Sequence, residues 1–183
     1  MSGPRARVLF VCTGNTCRSP MAEAIARAEL ERRGWSGLEV GSAGTSAYPG
    51  QPASGGALRA AERHGLDLSA HRARPLTPEL VAETDLLLAM TQSHWTQARW
   101  MGAGERAVML TEFASGEVGA GVPDPFGGGD DEYEETFRAL ETLVRAALDR
   151  LAREAHATPG PASPDDPGAS ADPLGSEEPG KGP

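Results

Sequence analysis

Cysteine is scarce in this chain of 183 residues, and the two that occur, Cys12 and Cys17, are separated by four residues near the N-terminus. A small secreted protein held together by disulfides would carry more cysteines, spread along its length. Long apolar runs are missing too. The run at 8–12 is too short for the core of a signal peptide, and no stretch approaches the roughly 20 apolar residues of a spanning helix. We therefore expect a soluble, cytoplasmic protein that does not bind membranes.

Positive charge is also in short supply. The formal net charge is −9, and Lys181 is the one lysine beside 16 arginines. Such a chain has no broad basic field to attract nucleic acid or an anionic membrane, so the charge argues against both partners. The hydrophobic fraction of 39% is enough for one sizeable core, and the length fits one domain with residues to spare.

The C-terminal segment differs in composition from the rest of the chain. Residues 157–183 contain seven prolines, five glycines and one large aliphatic side chain, Leu174. A segment of this kind cannot bury enough apolar surface to offset the entropy of ordering it. We therefore predict one folded domain over residues 1–156 and a disordered, acidic tail over 157–183, either passive or used for interactions.

Strand-like and helix-like segments alternate along residues 1–156. Short apolar runs predict strands at 7–12, 38–40, 86–90 and 107–110, and helices are predicted at 57–64, 78–83 and 92–101. The first helix is predicted to have Ser19 as its N-cap, Pro20 as its first helical residue and Gly34 as its stop.

The last helix has the clearest pattern, because its apolar residues step by three and four along one face: Tyr133, Phe137, Leu140, Val144, Leu148 and Leu151. The acids at 130–135 complement the dipole of this helix, and we do not assign them to a metal. The alternation predicts a three-layer α/β fold, in which helices cover both faces of a four-stranded parallel sheet. A ligand site is then expected at the carboxyl ends of the strands.

The segment 12–19, CTGNTCRS, joins the first strand to the first helix. A tight, glycine-containing turn that opens a helix points successive backbone N–H groups inward and forms an anion-binding nest. Arg18 can add a planar fork to two phosphate oxygens, and Cys12 faces these groups from the end of the strand. The same groups favour a thiolate at Cys12, so the loop predicts phosphoryl transfer to cysteine. The alternative is that Cys12 is a small buried residue and Arg18 a surface residue. A Cys-x5-Arg pair without context would favour this alternative, but here the pair lies between a predicted strand and a predicted helix.

The segment 11–23, VCTGNTCRSPMAE, closely resembles the active-site signature of the low-molecular-weight protein tyrosine phosphatase family. The resemblance continues in order at 41–45 (GSAGT), 71–77 (HRARPLT), 85–90 (DLLLAM) and 124–127 (DPFG), and covers about residues 5–153. It implies a phosphotyrosine protein phosphatase I-like fold and hydrolysis of phosphorylated proteins through a phosphocysteine. It implies no metal and no organic cofactor.

The resemblance also assigns roles to residues. Cys12 would be the nucleophile, Arg18 the phosphate clamp and Asp124 the general acid, although Asp124 by itself could equally be a turn residue before Pro125. The implied phosphate-binding loop is Thr13, Gly14, Asn15, Thr16, Cys17 and Arg18. The implied supporting residues, which would fix the shape of that loop, are Asn15, Ser19, Ser42 and His71. The other histidines, His64, His94 and His156, match no motif and are predicted at the surface.

Two questions stay open from the sequence. Cys17 could form a protective disulfide with Cys12 under oxidation, or it could be a small buried thiol. Thr16 stands where tyrosine phosphatases of the family place isoleucine or leucine, and with the segment DPFGG it resembles the protein arginine phosphatase branch. Phe126 and Tyr48 could then contact a flat guanidinium, whereas a tolerated variation at Thr16 would leave a phosphotyrosine substrate.

Other classes fit the sequence less well. An arsenate reductase with a similar loop needs further cysteines to pass a disulfide along, and the chain has none after Cys17. A non-catalytic phosphoprotein-binding module would be expected to lack Cys12 or Asp124, and the chain has both.

Overall fold

The structure, a computed structural model, describes residues 6–157 and the side chains of residues 6–155. Its single sheet has four parallel strands in the spatial order β2-β1-β3-β4. The strands are β1 (Ala6–Cys12), β2 (Leu38–Gly44), β3 (Leu86–Ala89) and β4 (Ala107–Met109). The predicted four-stranded parallel sheet is confirmed. Apart from Ala157, the predicted tail lies outside the described residues and stays a prediction.

Six α-helices surround the sheet in the described part of the chain. They are α1 (Arg18–Arg33), α2 (Gly55–Arg63), α3 (Pro78–Ala82), α4 (Gln92–Ala98), α5 (Leu110–Ser115) and α6 (Asp130–Ala157). Helices α1, α2, α5 and α6 pack on one face of the sheet, and α3 and α4 pack on the other. The predicted three-layer α/β architecture is confirmed. Within residues 6–157, no helix is both long and apolar enough to cross a membrane.

The strand period of two divides β1 between the two layers of the core. Phe10 points to the layer that holds Met21 of α1 and Phe137 of α6, and its neighbour Val11 points to the layer that holds Val81 of α3. All five side chains are almost completely buried. Burial of each contributes about 1.5–3 kcal/mol, so β1 is fixed from both faces and its end at Cys12 is held firmly in place.

The first helix begins two residues earlier than predicted. Arg18 is already helical, Cys17 takes the N-cap position without a side-chain cap, and the prediction of Ser19 as N-cap is wrong. The reason is that the hydroxyl of Ser19 lies 2.9 Å from the sulfur of Cys12, inside the molecule. Gly34 ends the helix as predicted, in the left-handed conformation with φ of 67°.

Three further elements differ from the sequence-based expectation. Strand β2 runs on to Gly44, whereas a loop was expected from Gly41. The helix expected over 92–101 leaves regular α-helical geometry after Ala98 and ends in irregular turns, where Gly102 has φ of 97°. Helix α5 (Leu110–Ser115) was not predicted, because its six residues are too few to show an apolar period.

Candidate active site

The loop after Cys12 lies at the carboxyl end of β1, between the ends of its two neighbouring strands. In the sheet, Cys12 pairs with Gly44 at the end of β2. A side chain at position 44 would collide with the carbonyl of Thr13 and the amide of Asn15, so only glycine allows this approach. The site is therefore at the edge of the sheet where the sequence predicted it.

Neighbouring segments hold the loop by its carbonyl groups. The carbonyls of Cys12, Thr13 and Thr16 each accept a hydrogen bond of 2.9 Å, from the backbone N–H groups of Thr45, Ser46 and Ser54 respectively. Within residues 6–157, by contrast, no backbone N–H of residues 13–17 donates a hydrogen bond. The loop thus turns its acceptors toward the protein and keeps its donors for an anion.

Asn15 fixes the shape of the loop from inside. It is fully buried and adopts a left-handed φ of 55°, which asparagine tolerates better than most residues. Its Nδ2 donates to the hydroxyls of Ser19 at 2.8 Å and Ser42 at 2.9 Å, and its Oδ1 accepts from the backbone N–H of Arg74 at 2.9 Å. One side chain therefore ties the loop to α1, to β2 and to the segment before α3.

His71 and Glu23 complete this network. His71 donates from Nε2 to the carbonyl of Asn15 at 2.7 Å. The hydroxyl of Ser42 donates a hydrogen bond to Oε2 of Glu23 at 2.5 Å. The structure brings together the predicted supporting residues Asn15, Ser19, Ser42 and His71. Glu23 was quoted within the sequence signature without a role, because only the fold places it beside Ser42.

Arg18 and Asp124 face each other across the mouth of the loop. Nη2 of Arg18 donates to Oδ2 of Asp124 at 2.8 Å, and Nη1 donates to the carbonyl of Val122 at 2.9 Å. The third nitrogen of the guanidinium, Nε, is buried without a hydrogen-bond partner among residues 6–157. A buried N–H is costly to leave unpaired, and a phosphate oxygen is an acceptor that would satisfy it.

A cavity of about 310 Å³ opens above Cys12. It is lined by Cys12, Thr13, Gly14, Thr16, Cys17, Arg18, Gln51, Asp124 and Phe126. The predicted nucleophile, phosphate clamp and general acid thus line one cavity together with the predicted specificity residues Thr16 and Phe126. Tyr48 is highly exposed and does not line this cavity, whereas Gln51, which the sequence did not single out, does.

Cys17 lines the cavity above Cys12, and hydroxyl groups surround its thiol. Its sulfur is 3.3 Å from the hydroxyl of Ser54 and 3.3 Å from that of Tyr133. Burial, together with the hydrogen bond to Cys17, raises the pKa of Tyr133, so its hydroxyl keeps its proton at neutral pH. Both cysteines are free and buried in this structure.

His94 is not a surface residue, so its predicted placement is wrong. His94 is 3% exposed, and its Nε2 lies 2.8 Å from Oγ1 of Thr13 in the loop. Burial, and then the positive charge of Arg18, lower its pKa to about 4. His64 is half-buried, stacks on Phe137 with ring centroids 4.2 Å apart and lies 2.8 Å from Oε1 of Glu134. The side chain of His156 lies outside the described part of the chain.

Comparison with known proteins identifies the family. The family described as "Low molecular weight phosphotyrosine protein phosphatase" matches residues 7–157. The "Protein-arginine-phosphatase" of Bacillus subtilis is 40% identical over 149 residues, which cover 80% of this chain and 97% of that protein. The "Low molecular weight protein-tyrosine-phosphatase Etp" of Escherichia coli is 34% identical over 146 residues, covering 80% of this chain and 95% of that protein.

Solved structures agree with this result. The YwlE arginine phosphatase from Geobacillus stearothermophilus superimposes with a TM-score of 0.75 at 37% identity, covering 82% of this chain and 96% of that chain. A YwlE mutant with a phosphorylated active-site serine gives 0.76 at 38% identity, covering 82% and 98%. The chain belongs to the low molecular weight phosphotyrosine protein phosphatase family.

Proposed function

We propose that the chain hydrolyses phosphorylated protein side chains in two steps, without a metal or organic cofactor. The thiolate of Cys12 attacks phosphorus while Asp124 protonates the departing atom, which gives a phosphocysteine and the free side chain. Asp124 then takes a proton from water, and the hydroxide releases inorganic phosphate and restores the thiolate. The loop N–H groups and Arg18 stabilise the charge on the equatorial oxygens in both steps.

One observation carries this proposal: Cys12, Arg18 and Asp124 line the same cavity, although 112 positions separate Cys12 from Asp124 along the chain. Nε of Arg18 and the N–H groups of residues 13–17 have no hydrogen-bond acceptor among residues 6–157 and are available to a bound anion. Asp124 is half-exposed, so its carboxyl group can reach a leaving group from the mouth. If Cys12 and Arg18 had only a structural role, nothing would require these N–H donors to lack hydrogen-bond partners.

We propose phosphoarginine as the substrate. The guanidinium of the leaving arginine is planar and has several N–H donors, so its site needs a flat contact and polar acceptors. Phe126 offers the flat contact, and Thr16, Gln51 and Asp124 offer oxygen acceptors in the same cavity. The naming of two relatives near 40% identity as protein-arginine-phosphatases supports the same choice. Phosphotyrosine is the second candidate, because other relatives of 34–46% identity are named as tyrosine phosphatases.

The substrate assignment is tested with two peptides of identical flanking sequence, one bearing phosphoarginine and one phosphotyrosine. Wild type should show the higher kcat/KM on phosphoarginine. The Thr16→Ile variant should shift the ratio of the two toward tyrosine by about tenfold or more, because an apolar wall replaces a hydroxyl. Thr142→Ile, which alters an exposed threonine of α6, is the matched control and should leave the ratio unchanged. A ratio that Thr16→Ile does not move would refute the role of Thr16.

We also propose that oxidation regulates the enzyme and that it works in the cytoplasm. Peroxide would convert the Cys12 thiolate to a sulfenic acid, and the thiol of Cys17 would displace water from it to form a disulfide. Peroxide inactivation should then be reversed by dithiothreitol in wild type and become largely irreversible in Cys17→Ser. Equal recovery of both proteins would remove the redox role. Cell fractionation tests the location.

A further inference from the structure

We propose that His94 is a positioning residue of the phosphatase reaction, which fixes Thr13 of the phosphate-binding loop against the start of α4. The inference rests on the proposed function, because it assigns a task in that reaction. Thr13 directly follows the nucleophile, so a contact that restrains Thr13 also restrains the first N–H groups of the anion nest.

The first support is the bridge that His94 makes. Its Nε2 is 2.8 Å from Oγ1 of Thr13, and its Nδ1 is 2.9 Å from Oγ1 of Thr91. Thr91 occupies the N-cap position of α4 but makes no side-chain cap there; its hydroxyl contacts His94 and Ser93 instead. The imidazole therefore connects the turn after β3 to the turn after β1. The backbone of these two turns is joined as well, since Met90 N–H donates to the carbonyl of Val11 at 3.0 Å.

The second support is the position of His94 relative to the reacting groups. It lines a cavity of about 420 Å³ together with Thr13, Arg18 and Asp124, and these three residues also line the cavity above Cys12. A histidine that served only to fill the core would pack among apolar side chains. His94 instead contacts the loop at Thr13 and lines a cavity beside Arg18 and Asp124.

The third support is the charge of the group. Burial chiefly, and then the charge of Arg18, lower the pKa of His94 to about 4 against an opposing effect of Asp124, so the ring is neutral at neutral pH. A neutral imidazole can restrain Thr13 through a hydrogen bond without placing a second positive charge beside Arg18. Arg18 thus keeps its interaction with Asp124 and with a phosphate dianion.

Two conservative variants separate the two ends of the bridge. The amide of glutamine occupies the place of Nε2 and can keep the contact with Thr13, whereas the amide of asparagine occupies the place of Nδ1 and can keep only the contact with Thr91. Loss of the contact with Thr13 should lower kcat/KM about tenfold to 100-fold, since a small displacement in a catalytic site has effects of this size. His94→Asn should show this loss, and His94→Gln should remain within about threefold of wild type.

The experiment measures kcat and KM on an aryl phosphate, the inhibition constant of inorganic phosphate, and the Tm of each protein. His94→Asn should weaken phosphate inhibition together with kcat, because the loop binds the anion in the ground state as well as in the transition state. His64→Gln is the matched control: it removes a half-buried, hydrogen-bonded histidine remote from the loop, and it should change Tm without changing phosphate inhibition.

A second variant, Thr13→Val, removes the same contact from the other end. The double variant Thr13→Val/His94→Asn should lose little more activity than either single variant, because the two act on one contact. Multiplicative losses, or His94 variants whose activity follows Tm alone and whose phosphate inhibition equals that of wild type, would overturn the proposal. If wild type turns over and the His94 variants have the same kcat and phosphate inhibition as wild type, only this inference fails. If wild type does not turn over, the proposed function and this inference both fail.

Discussion

The clamp and the candidate acid of this site are bound to each other: Nη2 of Arg18 lies 2.8 Å from Oδ2 of Asp124, with Arg18 buried and Asp124 half-exposed. The pair places Asp124 over the cavity, and its geometry is reinforced by the hydrogen bond from the backbone N–H of Phe126 to Oδ1 of Asp124, at 3.1 Å. A phosphate dianion that binds Arg18 must compete with this carboxylate. Binding of a phosphate group to Arg18 is therefore linked to the separation of Asp124 from Arg18.

This link predicts opposite effects of Asp124→Ala on chemistry and on binding. The variant should lose about 10²–10⁴ in kcat, because no group protonates the leaving atom. Inorganic phosphate should inhibit it more strongly than it inhibits wild type, since the competing carboxylate is gone. Steady-state kinetics with phosphate as inhibitor measure both quantities.

Asp149→Ala is the control for that prediction. Asp149 is an aspartate of similar exposure, paired with Arg33 at 2.6 Å on the outside of the molecule. It should leave both constants unchanged. Weaker phosphate inhibition in Asp124→Ala than in wild type would contradict the competition between carboxylate and phosphate.

Asn15 should be more sensitive to substitution than any exposed loop residue. Asn15→Ala removes three side-chain hydrogen bonds and forces alanine into a left-handed conformation, which costs about 1–2 kcal/mol by itself. Asn15→Gly removes the same bonds but adopts this φ freely. We expect both variants to lose activity and Asn15→Ala to have the lower Tm, measured by thermal unfolding. An alanine variant as stable as wild type would show that the network does not hold the loop.

Glu29 should make stability depend on acid. The hydrogen bonds from Arg32 chiefly, and then those from Arg145 and Arg33, lower the pKa of this buried carboxyl to about 2, against an opposing effect of burial. Because the pKa is lower in the folded state, the stabilisation is complete above the unfolded pKa near 4.5 and is lost as pH falls toward 2. The free energy of unfolding of Glu29→Gln should therefore be about 3 kcal/mol lower than that of wild type at pH 7. This difference should vanish near pH 2.

Glu141→Gln provides the matched control for Glu29. Glu141 pairs with the same Arg145 at 2.9 Å but is more exposed, and pairs of that kind contribute about 0–1 kcal/mol. Urea unfolding at several pH values compares the two variants. A Glu29→Gln variant whose difference from wild type did not change between pH 7 and pH 2 would show that the ionised carboxylate is not the source of the stability.

The sequence predicted the elements whose pattern is local. β1, α1 and α6 combine an apolar run or period with clear end signals, such as Gly34, and each lies within a few residues of its prediction. The end of β2 was not predicted, because the segment 41–44 is composed of small residues without strand propensity. The segment 41–44 has small residues because the loop after Cys12 packs against it, as the close approach of that loop to Gly44 shows.

The loop residues could be predicted because they are adjacent in the chain. Ser42, His71 and Asp124 were assigned only through the family resemblance, and His94 and Gln51 were not assigned to the site at all. His94 looks like one more polar residue of a short helix, and its burial follows from contact with Thr13, 81 positions away. Gln51 enters the cavity because its backbone is anchored by hydrogen bonds to Tyr48 and Ala73, which no local pattern reveals. Ser19 has the residue type of a helix cap, but the sulfur of Cys12 and the amide of Asn15 determine where its hydroxyl points.

The most direct test of the account is to identify the atom that carries phosphorus during turnover. Asp124→Ala protein, mixed with an aryl phosphate and quenched in acid within the first turnover, would be digested and its peptides analysed by mass spectrometry. The account predicts one phosphoryl group, located on the sulfur of Cys12 and missing when Cys12→Ala is treated in the same way. Continued turnover by Cys12→Ala at the wild-type rate, or a phosphoryl group on any other side chain of the Asp124→Ala protein, would contradict it.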